Sequence, residues 1–475
     1  MSASKERWEN LLEWLEDHGM KREEVLVDCR SRPGAGNGLF AARPCPPSTV
    51  LFTIPASALA NIRTLSPHYP CWKAKPLNAT QLISLHLFLH RPTTEGVCSD
   101  PLFGPYISVL PTDFPGHPLT WLILGMGPVQ QQFLRFLPPG ARAALDKVSN
   151  RFKEDWRIVQ EYLVWSFHSP GIISNLTTSQ REYPDVLINL ATEDFLWAWL
   201  NVNTRCVYHR LKRTRSDPDN LTMCPILDFA NHRPFAPLMM PTPSDAEIWN
   251  SSPTAKVGDA LGLVSPHTCA VEPNEELYLR YGAHSNQTLF VEYSFVNEML
   301  KNAAFGGRYD GEVDVQDVME ELFKERGLVG GWMKNILTEE GYWGEWTLHS
   351  SPQPAHPSFR LITALRLYHV IPSLYTGVPS EPATYVDPWR ETILGYSEVV
   401  SQENEKQWRD TLRQICNTVS ERATRSLVGF THQQNTEVDD LGWVQYAADC
   451  ITTLWREELE VSGAVLQSLD GEVEF

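Results

Sequence analysis

The first sixty residues combine one amphipathic helix pattern with two short strand patterns. Helical spacing puts four apolar residues on one face near the start of the chain: Trp8, Leu11, Leu12 and Leu15. Residues 25–29 form a strand candidate, residues 49–54 are β-branched and aromatic, and glycines at positions 34, 36 and 38 lie between them. The pattern predicts a strand, a glycine-rich turn and a second strand.

Two longer stretches have helical patterns, residues 60 to 200 and the part of the chain after residue 300. In the first, residues 79–90 are a compact apolar helix, and residues 194–202 form a buried helix that leads to Arg205. In the second, acidic residues accompany apolar stripes, which indicates a separate helical domain. Its predicted helices cover residues 313–326, 359–370, 404–420 and 446–469.

Two polar residues end an apolar run in the middle of the chain. Residues 225–230 are apolar, Asn231 and His232 follow, and Pro234 prevents the run from continuing as a helix. Taken alone, such a pair is explained by a plain turn. Further on, a Pro-Asn turn precedes an alternating strand that has three residues on one face, Leu277, Leu279 and Tyr281.

The glycines do not fit a dinucleotide-binding turn. Such a loop must open a helix, whereas prolines follow almost at once at positions 44, 46 and 47. Glycine also lets a ligand approach the backbone closely, although a tight turn explains the three residues equally well. Arg205 stands in apolar surroundings and needs a partner, which can be either a carboxylate or a ligand.

Composition and charge restrict the class of protein. The 475 residues suffice for two or three domains, and 42% of them are hydrophobic, as in globular chains. A net charge of −18 argues against direct nucleic-acid binding and favours a basic partner. The nine cysteines are scattered, which predicts reduced thiols in the cytosol or nucleus. No run of residues predicts a membrane span.

Neither the histidines nor the basic run predicts a dedicated site. His86 and His90 stand four positions apart on the predicted helix, but the sequence indicates no third ligand, so no metal site is predicted. The basic run at residues 209–215 reads as a solvated loop, with nuclear targeting as the alternative.

Four separated segments together resemble the SET-domain protein methyltransferases, and they occur in that family's order. They are Gly36-Asn-Gly-Leu-Phe40, Asn231-His232 after an apolar run, Glu275-Glu-Leu-x-Leu-x-Tyr281-Gly, and Tyr293-x-Phe295. The family usually has glycine before the two glutamates, where this chain has Asn274, which also tolerates left-handed geometry.

The long stretch before Arg205 is similar to the insertion of the Rubisco-methyltransferase-like branch, and the C-terminal part is similar to that branch's helical substrate-binding domain. The resemblance implies an α+β fold with small β-sheets and a pseudoknot. It further implies a SET domain over residues 1–300, with a mainly helical insertion at about 60–200, and a helical substrate-binding domain over residues 301–475.

The resemblance also assigns roles to individual residues. Tyr281 matches the catalytic tyrosine, and Asp228 and Tyr293 are expected on the substrate side. The residues expected to contact S-adenosylmethionine are Gly36, Asn37, Gly38, Leu39, Arg205, Asn231, His232, Tyr281 and Phe295. Asn231 and His232 would hold the amino group and the adenine, Arg205 the carboxylate.

We therefore expect a protein-lysine N-methyltransferase that uses S-adenosylmethionine and acts on a non-histone protein. The substrate class that we expect is a ribosomal or translation-machinery protein. Its expected partner presents a lysine in a basic segment; neither nucleic acid nor membrane is expected to bind, and the oligomeric state is open, with a monomer expected. Two alternatives remain, a protein-histidine methyltransferase of the same fold and a non-catalytic SET-like binding module.

Overall fold

The structure is a computed structural model. It describes residues 3–32, 36–72, 76–92, 96–125, 127–167, 191–212, 214, 216–242, 260–297, 310–434 and 442–475. Gly34, Arg213 and Arg215 lie outside the described residues. The chain divides into two compact units, Met1–Gly125 with Lys147–His284 and Met126–Asp146 with Ser285–Phe475. The functional boundary expected near residue 300 remains a prediction.

The helices up to Arg205 lie mainly between residues 60 and 205, where the sequence predicts them. They are α1 (Ala3–Asp17), α2 (Ile62–Leu65), α3 (Ala79–Leu89), α4 (Gly104–Ile107), α5 (Pro118–Leu124), α6 (Pro128–Arg135), α7 (Pro139–Phe167) and α8 (Thr192–Arg205). The predicted apolar face of α1 is buried, with Leu11 and Leu15 fully inaccessible. Asn78 begins α3 through a reciprocal capping box with Gln81, which explains why the helix starts there.

Short strands form three sheets in the first unit. The strands are β1 (Val27–Arg32), β2 (Gly36–Ala41), β3 (Val50–Ile54), β4 (Ala60–Asn61), β5 (Val207–Tyr208), β6 (Leu221–Met223), β7 (Asn231–His232), β8 (Met240–Pro241), β9 (Leu261–Val264) and β10 (Glu276–Leu279). The sheet orders are β1-β2-β10-β7, β3-β9-β8 and β4-β6-β5. In the four-stranded sheet β7 runs parallel to β10, while the other neighbours are antiparallel.

The glycine segment differs from its prediction. Residues 36–41 form β2, paired on one side with β1 and on the other with β10, rather than a turn. The predicted partner strand at 49–54 is β3, which belongs to another sheet and pairs with β9. Glycine is a weak strand former, but pairing on both sides of β2 compensates for that weakness.

The second unit is mainly helical, as predicted, and also contains a small sheet. Its strands are β11 (Glu312–Asp314), β12 (Thr347–His349) and β13 (His356–Pro357). The later helices are α9 (Asn286–Tyr293), α10 (Gln316–Glu325), α11 (Gly327–Glu339), α12 (Phe359–Tyr368), α13 (Ala383–Ile393), α14 (Gln402–Gln434) and α15 (Gly442–Asp470). The predicted helix at 313 starts later, because Val313 pairs with Leu348 in the sheet. Among the helices of the described residues, none has the length and apolar character to cross a bilayer.

Candidate active site

Three of the predicted motif segments meet at one point in the four-stranded sheet. Asn231 on β7 lies opposite Tyr278 on β10, and its side-chain nitrogen donates a hydrogen bond of 2.7 Å to Oε1 of Glu276. Gly38 on β2 lies beside them: a Cβ atom there would stand 2.8 Å from that oxygen and 3.1 Å from the Asn231 nitrogen. A side chain at position 38 would therefore require the Glu276 carboxylate and the Asn231 amide to shift.

Glu276 is a site residue to which the sequence motif assigns no role. Its second oxygen, Oε2, accepts a 2.6 Å hydrogen bond from the Tyr278 hydroxyl. The carboxylate is therefore held from two sides and fixes the orientation of the Asn231 amide. A glutamate at the start of a half-buried strand needs hydrogen-bond partners. That position in the sequence is the feature from which a role for Glu276 could have been predicted.

Tyr281 is anchored to the Asn231-His232 segment at both ends. Its hydroxyl donates to the backbone oxygen of Ala230 at 2.8 Å, and its backbone nitrogen donates to Nδ1 of His232 at 3.1 Å. The rings of Tyr281 and His232 are 5.2 Å apart. Nδ1 of His232 accepts this bond, so a neutral ring carries its hydrogen on Nε2. His232 therefore helps to position Tyr281 through a hydrogen bond to its backbone.

The segment before Asn231 has a strained backbone. Ile226 has φ 68° and ψ −53°, and the Leu227 nitrogen bonds the Pro225 oxygen at 2.8 Å. These angles define the classic form of the γ-turn, which is rare and strained and is unusual for a β-branched residue. The turn leads into a short 3₁₀ helix, Leu227–Phe229, in which Phe229 packs edge-on against Trp8 of α1 at 5.8 Å. Packing therefore holds the strained turn in place.

Arg205, at the end of α8, pairs with a carboxylate, which is one of the two kinds of partner that the sequence allows. Its NH1 donates to the backbone oxygen of Asp228 at 2.8 Å and approaches Oδ2 at 3.3 Å. The Asp228 side chain is 0% exposed and that of Arg205 is 18% exposed. Burial raises the pKa of Asp228, and both Arg205 and the neighbouring Tyr106 hydroxyl oppose that rise. Within the described residues, Arg205 Nε and Asp228 Oδ1 have no hydrogen-bond partner.

Three thiols lie near this pair: Cys224 is buried, and Cys29 and Cys206 are half-buried. Burial raises the pKa of Cys29 to about 12, and it raises those of Cys206 and Cys224 as well; Asp228 adds to each rise. The thiolate is the reactive form, so these side chains stay protonated and inert at neutral pH. The site therefore offers no covalent catalysis by cysteine.

The remaining predicted residues fall into different surroundings. Gly36 has φ +70° and open space where a Cβ would stand, which leaves its backbone approachable. Asn37 is half-buried, whereas the Leu39 side chain is fully buried in the core. Tyr293 and Phe295 belong to the second unit, with ring centroids 6.1 Å apart, on either side of a left-handed Ser294. The structure brings these two together as a pair.

Asn274, where this chain departs from the family motif, has a left-handed backbone conformation. Asn274, which stands where the family usually has glycine, adopts φ 70°. Its side-chain oxygen accepts a 2.7 Å hydrogen bond from Arg30. The expectation that this asparagine takes the left-handed conformation is confirmed.

Sequence comparison relates the whole chain to proteins with SET domains. SET domain-containing protein 4 of Homo sapiens is 25% identical over 478 residues, which cover 98% of this chain and 92% of the human protein. Ribosomal lysine N-methyltransferase set11 of Schizosaccharomyces pombe is 25% identical over 78% of this chain and 77% of its own length. Ribosomal lysine N-methyltransferase 2 of Saccharomyces cerevisiae is 26% identical over 62% of this chain and 58% of its own. No family model matches the chain.

Structure comparison gives the same fold. The SET domain of LSMT bound to lysine and AdoHcy has a TM-score of 0.60 at 16% identity, covering 100% of this chain and 94% of the other. Rubisco LSMT bound to AdoMet has a TM-score of 0.55 at 17% identity, with 100% and 95% coverage. The predicted α+β SET fold is thereby confirmed. The chain therefore has the fold of the Rubisco LSMT structures, and its sequence is similar along nearly its whole length to SET domain-containing protein 4.

Proposed function

We propose that this protein is an S-adenosylmethionine-dependent protein-lysine N-methyltransferase that acts on a non-histone protein. The observation that carries the proposal is the convergence of Gly38, Asn231 and Glu276, with Tyr281 tied to the same segment. Two relatives are named ribosomal lysine N-methyltransferases, which supports a ribosomal or translation-machinery protein as substrate. The acidic chain favours a substrate segment that is basic.

The residues present fit the cofactor. Gly36 leaves its backbone open to close approach, and Arg205 Nε and Asp228 Oδ1 offer a buried donor and a buried acceptor without partners among the described residues. Such open polar atoms suit a ligand that carries carboxylate and amino groups. When bound, S-adenosylmethionine supplies a methyl group on a cationic sulfonium. The residues that would hold it in this unit are Gly36, Asn37, Gly38, Leu39, Arg205, Asn231 and His232, while the role of Phe295 rests on the sequence alone.

The chemistry needs positioning more than acid-base groups. The lysine must attack as a neutral amine, although free lysine has a pKa of about 10.4. A site that excludes water lowers that pKa and favours release of the proton to solvent. The Tyr281 hydroxyl is held beside the Ala230 oxygen and can orient the amine without forming a bond to it. Asp228 is expected on the substrate side, where its carboxylate would attract the incoming lysine before that side chain loses its proton.

Methyl transfer from labelled cofactor tests the proposal. Purified protein, incubated with an extract of cells that lack it, should label a discrete protein band. Tyr281→Phe should reduce labelling about 100-fold or more, because it removes the orienting hydroxyl. Tyr208→Phe is the matched control, since Tyr208 lies in the same unit with 56% exposure.

Mass spectrometry of the labelled band identifies the modified residue. Methyl-lysine supports the proposal, whereas methyl-histidine replaces it with histidine methylation. Labelling that survives both Tyr281→Phe and Asn231→Ala would overturn the site assignment. If the protein neither binds the cofactor nor labels any band, the alternative of a non-catalytic SET-like binding module would replace the proposal.

A further inference from the structure

A cluster of three potential metal ligands lies in the first unit, apart from the residues of the candidate active site. His86 on α3 and His90, the residue that ends α3, are one turn apart, and Asp100 comes from the segment that follows. Nε2 of His86 is 3.0 Å from Oδ2 of Asp100, and Nε2 of His90 is 3.6 Å from Oδ1. The folded chain thus supplies the third ligand that the sequence pattern does not indicate.

We propose that His86, His90 and Asp100 bind a divalent transition-metal ion, with Zn²⁺ the best match. Imidazole nitrogen and carboxylate oxygen are ligands that Zn²⁺ takes at about 2.0–2.2 Å. Ligand atoms around a tetrahedral ion at that distance are roughly 3.4 Å apart. The two separations, 3.0 and 3.6 Å, lie on either side of this value. All the ligand atoms lie within 4.8 Å of one another, so small movements suffice to close the site.

Neighbouring groups orient the ligands as in metal sites. The Tyr69 hydroxyl lies 2.8 Å from Nδ1 of His86, which directs Nε2 towards Asp100. The Phe103 backbone nitrogen donates to Oδ2 of Asp100 at 2.7 Å. A hydroxyl can accept as well as donate, so the contact with Tyr69 persists when His86 carries its hydrogen on Nδ1. Nε2 then has the free electron pair that a metal needs.

A plain hydrogen-bonded cluster does not account for His90. The Tyr69, His86 and Asp100 contacts would be complete without it, and the 3.6 Å separation from Asp100 is too long for a hydrogen bond. The Asp100 carboxylate lies beside both imidazole rings in a buried place, where the side chains of His86 and Asp100 are 2% and 1% exposed. A divalent cation would compensate the charge of a carboxylate buried in this way. The His90 side chain, 17% exposed, gives the ion a path to solvent.

Cobalt binding to the full chain, freed of metal with a chelator, tests this proposal. Co²⁺ in a site of this type gives visible absorption bands, and Zn²⁺ should displace it. We expect one equivalent per chain for the unmodified protein. His90→Gln should weaken binding about 100-fold without preventing folding, because His90 is the ligand that is partly exposed. Tyr69→Phe should weaken binding about tenfold.

A second histidine pair provides the control. His349 and His356 stack at 5.5 Å near Glu312, but Nε2 of His349 is held by Thr347 and Nδ1 of His356 by the Pro354 oxygen. His356→Gln should therefore leave cobalt binding unchanged. The proposal is overturned if the unmodified chain binds no cobalt, or if His90→Gln binds it as tightly as the unmodified chain does.

Discussion

Two buried arginine–carboxylate pairs, one in each unit, differ in how completely their polar atoms are used. In the second unit, Arg366 Nε donates to Oε1 of Glu405 at 2.7 Å, and Trp408 donates to Oε2 at 2.8 Å. In the first unit, Arg205 bonds Asp228, yet Asp228 Oδ1 and Arg205 Nε have no partner within the described residues. Both pairs are mostly buried, so exposure does not explain the difference.

The difference agrees with a structural role for the pair in the second unit and with the proposed binding role for the pair in the first unit. Buried polar groups are normally satisfied, because an unmade hydrogen bond costs about 1–3 kcal/mol. Glu405 uses both oxygens and therefore fastens α12 to α14. Asp228 keeps one oxygen open, next to the strained turn at Ile226. Incomplete bonding together with backbone strain is the combination expected where a ligand completes the site.

The largest expected effect comes from Asp228→Asn. Methyl transfer, measured as kcat/KM for the protein substrate, should fall about 100-fold, because a buried charge that faces a cationic side chain is lost. The free energy of unfolding should change by less than about 1 kcal/mol. Asparagine keeps the size of the side chain and does not change the backbone oxygen of residue 228, which accepts from Arg205 at 2.8 Å. A large loss of stability with normal kcat/KM would make this pair structural as well.

Glu405→Gln should give the opposite result. The free energy of unfolding in denaturant should fall by about 2 kcal/mol, because the bonds to Arg366 and Trp408 lose their charged acceptor. The kcat/KM of the folded enzyme should stay unchanged. A fall in kcat/KM without destabilisation would contradict the structural role.

Glu276→Ala should raise the KM for S-adenosylmethionine about tenfold and change kcat less. The substitution removes the acceptor that orients the Asn231 amide, so cofactor binding should weaken while Tyr281 stays in place. Glu276→Gln should restore part of the affinity, since it retains one acceptor oxygen. Glu275→Ala is the neighbouring control: Glu275 is exposed, and its side chain accepts a hydrogen bond from the nearby backbone nitrogen of Glu272. Equal effects of the two alanine variants would remove Glu276 from the site.

The smallest expected effect is a pH dependence of stability caused by Glu458, which pairs with Arg422. Burial raises the pKa of Glu458 from 4.5 to about 7. Between these values the folded state holds a proton that the unfolded state has lost, so stability falls as pH rises. From pH 6 to pH 8 the free energy of unfolding should fall by about 1 kcal/mol, measured by denaturant titration. Glu458→Gln should remove this component, and an unchanged slope would contradict it.

Local patterns predicted the helices well. The stripe of α1 and the start of α3 follow from residues close together in sequence, which periodicity detects. The strand at Gly36–Ala41 escaped prediction, because its second partner, β10, lies far along the chain and glycine gives no strand signal. Val313 was assigned to a helix for a similar reason, since its partner Leu348 belongs to a distant segment.

The candidate site was predictable only in part. Asn231, His232 and Tyr281 stood in motifs, and the structure joins them through the contacts of His232 and Ala230. Asp100 escaped prediction, because it lies in an irregular segment whose path no sequence pattern indicates. The sequence also left open whether Arg205 meets a carboxylate or a ligand. In the structure a carboxylate is present, with one oxygen still open.

The strand order β1-β2-β10-β7 has a consequence for biosynthesis. β2 leaves the ribosome early, but its partner β10 is made only after more than two hundred further residues, roughly 10 to 50 s later. During that interval the nascent chain carries β1 and β2 of the four-stranded sheet without β10 and without a complete site. A chain that ends before Glu276 lacks the acceptor for Asn231 and the tyrosine at 281. The proposed site can therefore form only once the first unit has been synthesised almost to its end.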